Sequence, residues 1–298
     1  MIRTLASRIL KTVCIVIIGY LILSRAYHAF ANSVAAADYQ ADVGTEDAAF
    51  LRSEYEKAET YNLALAEQDD QNLSLSGHAE EGAVAEAEYE DLLNVGNDGV
   101  MAVLSIPSIG VRLPVYHDVT DQTMSKGCGH LPGTSLPVGG NGTHSVLFGH
   151  RGLPDSKLLT DLDRLKDGDL FTIGVLGKVL HYRVIGRKVI RPEETDDLKI
   201  RKGRDLVTLV TCTPYGINTH RLLVCAERAE EGTGAPPGTA KKRSLCERLY
   251  AFFLKPEAVY GGAACDLIVS VFLLRRIWCG RKGEEKQKFQ RKESEDSG

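Results

Sequence analysis

A series of short apolar segments separated by glycine and proline, beginning at Val100, constrains the fold of this chain more than any other feature. Examples are V-M-A-V-L-S-I-P, V-R-L-P-V-Y, H-S-V-L-F-G-H and D-L-V-T-L-V-T-C. Short segments rich in β-branched residues and bounded by turn-forming residues are typical of strands. The pattern predicts a mainly β domain of about 130 residues, folded as a closed barrel or a sandwich. We place this domain at residues 96–228.

The segment before the β domain has a helical pattern. Residues 34–68 are rich in alanine and lack proline, and their apolar positions are spaced for a helix. The polar stretch 69–82 predicts a mobile connection, and residues 83–93 predict a short second helix. Residues 34–95 therefore form a predicted helical extension. After the β domain, E-E-G-T-G-A-P-P-G-T-A-K-K-R has the composition of a linker, which we assign to residues 229–256.

Both ends of the chain carry apolar segments flanked by basic residues. Residues 1–33 contain T-V-C-I-V-I-I-G-Y-L-I-L, which predicts either a membrane anchor or a cleaved signal peptide. Residues 257–279 predict a C-terminal transmembrane segment, in which Arg275 and Arg276 follow the apolar stretch 258–274. A helix lying on the membrane is the alternative. If both segments span, the positive-inside rule places both tails, including residues 280–298, in the cytoplasm. The domain between them then lies outside the cell.

Composition excludes some classes of function. Lys and Arg together number 36 against 40 Asp and Glu, so the chain lacks the basic excess of a nucleic-acid-binding protein. Seven cysteines without a C-x-x-C pair predict neither a disulfide framework nor a structural zinc site.

The segment T-L-V-T-C-T-P-Y-G-I-N-T-H-R-L-L-V, residues 208–224, carries the strongest chemical signal. An apolar strand ends at Cys212, a turn-rich loop follows, and a second strand contains Arg221. Such a hairpin brings the thiol and the guanidinium to the same end of two adjacent strands. The pair suits acyl transfer, because a thiolate attacks a carbonyl and an arginine can stabilise the oxyanion.

A thiol in this setting also needs a group that exchanges protons. His150 is the best candidate because it lies where an apolar strand ends in a glycine-rich turn, and His117, at the end of another strand, is the alternative. The residues alone leave a simpler interpretation open, in which Cys212 is a small buried residue and Arg221 a solvated charge.

The same segment resembles the active-site signature of the class C sortases, the pilin-polymerising group. G-T-H-S-V-L-F-G-H-R-G-L-P resembles the histidine motif of that family, and D-L-L-N-V-G-N-D-G-V-M-A-V-L-S-I-P resembles its entry strand. The resemblance covers about residues 90–228 closely and implies a closed sortase-type β-barrel.

The resemblance also implies a mechanism. Cys212 would attack the Thr–Gly carbonyl of an L-P-x-T-G-like sorting signal, His150 would protonate the leaving amine, and Arg221 would hold the substrate and the oxyanion. Thr211, Thr213 and Asn218 would contact the substrate. The partners would be pilins or surface proteins with such signals, and the acceptor a lysine amine of the next pilin. This chemistry needs no cofactor and no metal, and the enzyme would sit in the cell membrane with its catalytic domain outside.

Two departures from the family pattern stand out. The N-terminal lid with an Asp-Pro-aromatic motif has no counterpart in E-Q-D-D-Q-N-L-S-L-S-G-H-A-E-E-G, which predicts a more open active site. Cys225 replaces a basic residue of the pattern, and Cys128 is also unusual. We expect these two thiols to be free rather than joined in a disulfide.

Three alternatives remain beside the pilin-polymerising enzyme. The first is a sortase that uses the cell-wall peptide amine, or water, as the acceptor. The second is a catalytically inactive binding module. The third is a non-enzymatic anchored surface protein, although no L-P-x-T-G-like pentapeptide precedes the C-terminal apolar segment.

Overall fold

A closed eight-stranded β-barrel forms the body of the chain in the computed structural model, which describes residues 2–67, 73 and 86–230. This architecture confirms the predicted mainly β fold. The strands are β1 Val100–Ile106, β2 Val111–Tyr116, β3 Cys128–His130, β4 Thr143–Phe148, β5 Leu170–Val175, β6 Lys178–Ile190, β7 Asp205–Thr213 and β8 His220–Arg228. Around the barrel their order is β1-β2-β3-β4-β7-β8-β6-β5.

The barrel is stabilised by apolar side chains on both sides of its wall. Alternate residues of each strand point inward, and the largest buried cluster includes Leu147, Leu209 and Val224 from three neighbouring strands. A second buried cluster lies on the outer face of the same strands and includes Phe148, Val210 and Leu223. Because β4, β7 and β8 are covered on both faces, they read in the sequence as nearly continuous apolar runs.

Within the described part of the chain, four α-helices accompany the barrel: α1 Ile2–Thr45, α2 Ala48–Ala66, α3 Glu86–Asp91 and α4 Asp121–Lys126. The short helix predicted at residues 83–93 is observed as α3. The helix predicted at residues 34–68 is divided differently, because its first part continues the N-terminal apolar segment as one helix, α1. The break comes at Asp47, whose carboxylate accepts a hydrogen bond from the Phe50 amide and caps α2.

One face of the second half of α1 packs against the outside of β1 and β2. Its buried residues, Asn32, Ala36, Tyr39 and Val43, recur with helical spacing. The Tyr39 hydroxyl donates to the Met101 carbonyl at 2.8 Å and accepts from the Leu176 amide at 3.1 Å. These contacts fix the second half of α1 on the barrel.

The first half of α1 is apolar and exposed. From Ile9 onward the helix is long and apolar enough to cross a membrane, by length and composition. Several predicted segments fall outside the described residues: nearly all of the connection at 69–82, the linker beyond residue 230, the C-terminal apolar segment at 257–279 and the tail at 280–298.

Candidate functional site

Strand register brings the three predicted catalytic residues to one end of the barrel. In the antiparallel pair of β7 and β8, Cys212 lies directly opposite Arg221. In the parallel pair of β4 and β7, Phe148 lies opposite Val210, and the Gly149 amide donates to the Val210 carbonyl. Two residues beyond the Phe148–Val210 pair, the same register places His150 beside Cys212. We call this end of the barrel, where β4 and β7 finish and β8 begins, the catalytic end.

The three side chains share the outer face of the barrel. Cys212 follows Val210 by two residues, and Arg221 precedes Leu223 by two, so both point to the face of the outer apolar cluster. Cys212 itself packs partly buried against that cluster. The cluster also contains Val146 of β4 and Ile190 of β6, and it is completed by residues outside the strands, namely Val119, Met124, Leu131 and Leu198. The thiol therefore lies at the edge of an apolar surface.

His150 is half-buried beside a carboxylate from α4. Its Nε2 atom lies 3.6 Å from Oδ1 of Asp121, and the imidazole keeps 25% of its surface exposed. Burial lowers the pKa of His150, and the negative charge of Asp121 offsets part of this effect. Since an ordinary histidine titrates near pH 6.5, the neutral imidazole predominates at pH 7.

The Arg221 guanidinium is held by the turn that precedes it. Its Nη1 donates to the carbonyls of Asn218 and His220, at 3.1 and 3.3 Å. The guanidinium carbon lies 5.7 Å from the centre of the Phe148 ring, within range of a cation–π interaction. The positive charge is thus fixed next to Cys212 rather than free in solvent.

Thr211, a predicted substrate contact, is buried within the barrel wall instead of facing the site. Its side chain is fully buried, and its hydroxyl donates to the Gly149 carbonyl at 2.8 Å. This burial contradicts a direct substrate contact, because Thr211 alternates with Cys212 and points to the opposite face of β7. The hydroxyl instead ties β7 to the segment that carries His150.

The other two predicted substrate contacts lie at the hairpin end. Thr213 is partly exposed and pairs with His220 across the hairpin. Asn218 is exposed with a φ of 61°, and its carbonyl accepts from Arg221. Its backbone therefore shapes the turn, and a substrate contact for either residue stays a prediction.

The loop between β7 and β8 contacts the loop that carries His150. Tyr215 packs on Gly152, where an added Cβ atom would come within 2.8 Å of the tyrosine ring. Gly152 also has a φ of 81°, which disfavours any side chain there. Neither Tyr215 nor Asp121 was identified from the sequence. For Asp121, the signal was the T-D-Q-T segment, because Thr120 and Thr123 form a capping box that starts α4.

The remaining thiols of the barrel are not suited to nucleophilic attack. Cys128 is fully buried in the inner core, and burial raises its pKa to about 12. Burial also raises the pKa of Cys225, whose side chain bonds to Thr208. Both are free thiols, as expected. They lie on opposite sides of the barrel wall, since Cys225 shares the outward alternation of Arg221 and Leu223.

His117, the alternative to His150, is hydrogen-bonded to backbone carbonyls through both ring nitrogens. It is buried, and its two ring nitrogens lie 2.6 Å from the Leu92 carbonyl and 3.1 Å from the Gly99 carbonyl. It therefore joins the segment before β1 to the end of β2. The structure leaves His150 as the histidine beside Cys212.

Leu73, from the segment that lacks the Asp-Pro-aromatic lid motif, also reaches the outer apolar cluster. Its side chain packs against the same cluster as Cys212 and lies beside Gly133. An aliphatic side chain therefore lies near the site although the Asp-Pro-aromatic motif is lacking.

Comparison with known proteins agrees with this geometry. Residues 104–229 match the sortase domain family. The chain is 46% identical to sortase C-1 from Actinomyces oris, with a TM-score of 0.57, and covers 98% of that structure and 61% of its own length. It belongs to the class C sortases. It is also 32% identical to Streptococcus pneumoniae sortase C, with a TM-score of 0.57, and there covers 96% of that chain and 66% of its own.

A more distant similarity connects this class C sortase with sortase A of Bacillus anthracis. The two are 24% identical over 174 residues, which is 58% of this chain and 81% of the relative. Sortases are cysteine transpeptidases of the cell envelope, and this sortase is accordingly an enzyme rather than a non-enzymatic surface protein.

Proposed function

We propose that this sortase joins pilin subunits through Cys212, His150 and Arg221. The observation that carries the proposal is the row formed across β4, β7 and β8, in which a half-buried imidazole, a thiol and a fixed guanidinium lie side by side at the strand ends. Among the described residues of the barrel, the thiols of Cys128 and Cys225 are buried or partly buried, and His117 is hydrogen-bonded to backbone carbonyls.

The first half of the reaction breaks the sorting signal. The Cys212 sulfur attacks the Thr–Gly carbonyl of an L-P-x-T-G-like segment, and the oxyanion is stabilised by the Arg221 guanidinium. The C–N bond then breaks as His150 donates a proton to the leaving amine. A thioester between the substrate threonine and Cys212 remains.

In the second half, an amine attacks the thioester and returns a proton to His150, and the Cys212 sulfur leaves. We propose that this amine is a pilin lysine, which would give an isopeptide bond. Support comes from the 46% identity to a sortase C-1 and from the similar Streptococcus pneumoniae enzyme, for which a pilin substrate specificity is described. Transfer to a cell-wall peptide amine is the alternative.

We further propose that the exposed apolar half of α1 anchors the protein in the cell membrane, with the barrel outside. Its length and composition support this placement. So do Arg3, Arg8 and Lys11 at its N-terminal side, which fit a cytoplasmic end.

The decisive experiment mixes the purified full-length enzyme with a pilin-like protein that carries an L-P-x-T-G-type signal. We expect lysine isopeptides between subunits in tryptic mass spectra. Cys212→Ala should abolish both cleavage and isopeptide formation, whereas Cys225→Ala, the matched partly buried thiol of the neighbouring strand, should retain them. Cleavage with transfer only to added cell-wall peptide would favour the alternative acceptor, and undiminished activity of Cys212→Ala would exclude the mechanism.

A further inference from the structure

Helix α1 runs along the barrel between its two ends. Near its middle, His28 Nε2 lies 3.3 Å from Oδ2 of Asp155, in the loop that follows His150. About a dozen residues later, Tyr39 bonds to Met101 and Leu176. The helix therefore contacts the His150 loop at His28 and the β5–β6 turn at Tyr39.

These two contacts lie at opposite ends of the barrel. The long strand β6 connects the two ends. Its first residue, Lys178, pairs with Val175 beside the β5–β6 turn, and its last, Ile190, pairs with Arg221 at the catalytic end. The β5–β6 turn, including Leu176, is thus at the end away from the site. His28, in contrast, contacts a loop of the catalytic end.

The apolar half of α1 must then extend beyond the catalytic end. Its side chains do not lie on the barrel, since Ile15 is 70% exposed and Ile22 is 63% exposed. The helix is uninterrupted from Ile2 to Thr45, so residues before His28 continue in the direction that leads away from Tyr39. An anchor in this direction brings the catalytic end, rather than the opposite end, toward the membrane.

The distance to the membrane is short. The apolar run ends at Leu23, five residues before His28, which is about 7.5 Å along a helix. The headgroup layer on each side of a bilayer is about 5–8 Å thick. Asp155, which contacts His28, is therefore expected at the depth of the lipid headgroups.

Two exposed apolar side chains are presented at this same end. Tyr215 and Ile217, in the β7–β8 loop, are 60% and 67% exposed. Tyr215 packs on Gly152, three residues before Asp155, so this loop adjoins the loop that touches α1. Tyrosine and large aliphatic residues are favoured at a membrane interface, whereas they gain nothing from exposure to bulk water.

We propose that the catalytic end of the barrel faces the bilayer, with the Tyr215–Ile217 loop in contact with the lipid headgroup layer. The proposal rests on the membrane anchoring by α1 proposed above. It assigns the lipid surface as the partner of this loop. In this orientation Cys212 meets its first substrate at the membrane surface. A peptide segment that is held at the membrane can then be attacked without leaving the membrane surface.

The test uses tryptophan as a depth probe in the full-length protein reconstituted in lipid nanodiscs. The chain has a single tryptophan, Trp278, which is first replaced in a Trp278→Phe background. Ile217→Trp is compared with Leu63→Trp, a matched control that is 65% exposed on α2. The residue next to Leu63, Asn62, bonds to Leu136, near the start of β4 and away from the catalytic end.

With lipids brominated near the headgroup, we expect the Ile217→Trp fluorescence to fall roughly twofold or more and the Leu63→Trp fluorescence to stay unchanged. Adding Cys212→Ala should leave this result unaltered, because the readout does not depend on catalysis. Protein that is held in nanodiscs but shows no quenching at residue 217 would overturn the orientation alone. Failure of the chain to associate with nanodiscs would overturn the anchoring and the orientation together, while the proposed chemistry is judged separately from isopeptide formation.

Discussion

Cys212 differs from Cys128 and Cys225 in its surroundings rather than in its chemistry. All three lie in or beside strands of the barrel, but Cys128 is fully buried inside it, and burial raises the pKa of Cys225. Cys212 alone lies opposite an arginine at a strand end. Its adjacency to Arg221 followed from the length of one hairpin, and this could be predicted because hairpin register depends on nearby residues.

The charge of Asp121 gives a prediction for His150. Since Asp121 offsets part of the effect of burial, Asp121→Asn should lower the pKa of His150 further. The protonated imidazole, which donates to the leaving amine, would then be rarer at pH 7. The limb of the kcat/KM profile that depends on protonated His150 should move to lower pH.

Proton NMR titration of His150 measures this effect directly. Asp155→Asn is a suitable control, because Asp155 contacts His28 rather than His150. An unchanged His150 titration in Asp121→Asn would show that the carboxylate has no influence at 3.6 Å.

At the scale of elements, the site depends on contacts between loops from different parts of the chain. Thr211 ties β7 to Gly149, and Tyr215 packs on Gly152. The sequence predicted the strands and the hairpin, but it did not predict these contacts. They depend on the parallel pairing of β4 with β7, which are separated by more than 50 residues of chain.

Gly152→Ala should disturb this contact between loops. The added methyl group would meet the Tyr215 ring at 2.8 Å, so we expect the loop carrying His150 to shift and kcat/KM to fall about tenfold or more. Gly142→Ala is the matched control, because Gly142 has a similar φ of 75° and nothing within 4 Å of an added Cβ.

In both variants an alanine must adopt a left-handed backbone conformation, which lowers the free energy of unfolding by about 1 kcal/mol. The thermal stabilities of both variants should therefore decrease. Their activities should differ. Equal activity of the two variants would show that the contact with Tyr215 does not position the site.

On the scale of the whole molecule, buried neutral histidines link stability to pH. Burial lowers the pKa of His130 and of His144 to about 4. Above pH 6.5 both the folded and the unfolded states carry neutral imidazoles, so neither residue affects stability. Between pH 6.5 and 4 only the unfolded state takes up these protons, and the free energy of unfolding therefore falls as the pH falls.

We expect urea unfolding of the full-length protein in detergent to show a slope approaching about 1.4 kcal/mol per pH unit for each of the two histidines. His130→Gln should lose about half of this pH dependence, and His144→Gln offers the same test at a second position. A free energy of unfolding that stays constant from pH 6.5 to 5 would contradict neutral burial.

The two halves of helix α1 have different roles: we propose that the first half anchors the protein in the membrane, and the second half packs on the barrel. Truncation of the chain separates these roles. A chain beginning at Asn32 keeps Ala36, Tyr39 and Val43 on the barrel, whereas a chain beginning at Glu46 loses them. The loss of this apolar burial and of the Tyr39 hydrogen bonds should cost at least about 2 kcal/mol. We expect the shorter chain to melt several degrees lower by circular dichroism, and identical melting temperatures would show that α1 does not stabilise the barrel.

The sequence by itself determined the strand-rich body, the hairpin of Cys212 and Arg221, and the apolar N-terminal segment. Each depends on periodicity or on neighbours within a few residues, which a linear pattern records. The tertiary structure decided which histidine lies beside the thiol, that Thr211 is buried, and that the apolar segment and the following helix are one element. These features arise from pairing between distant strands and from packing of α1 on the barrel, and no local pattern specifies such long-range contacts.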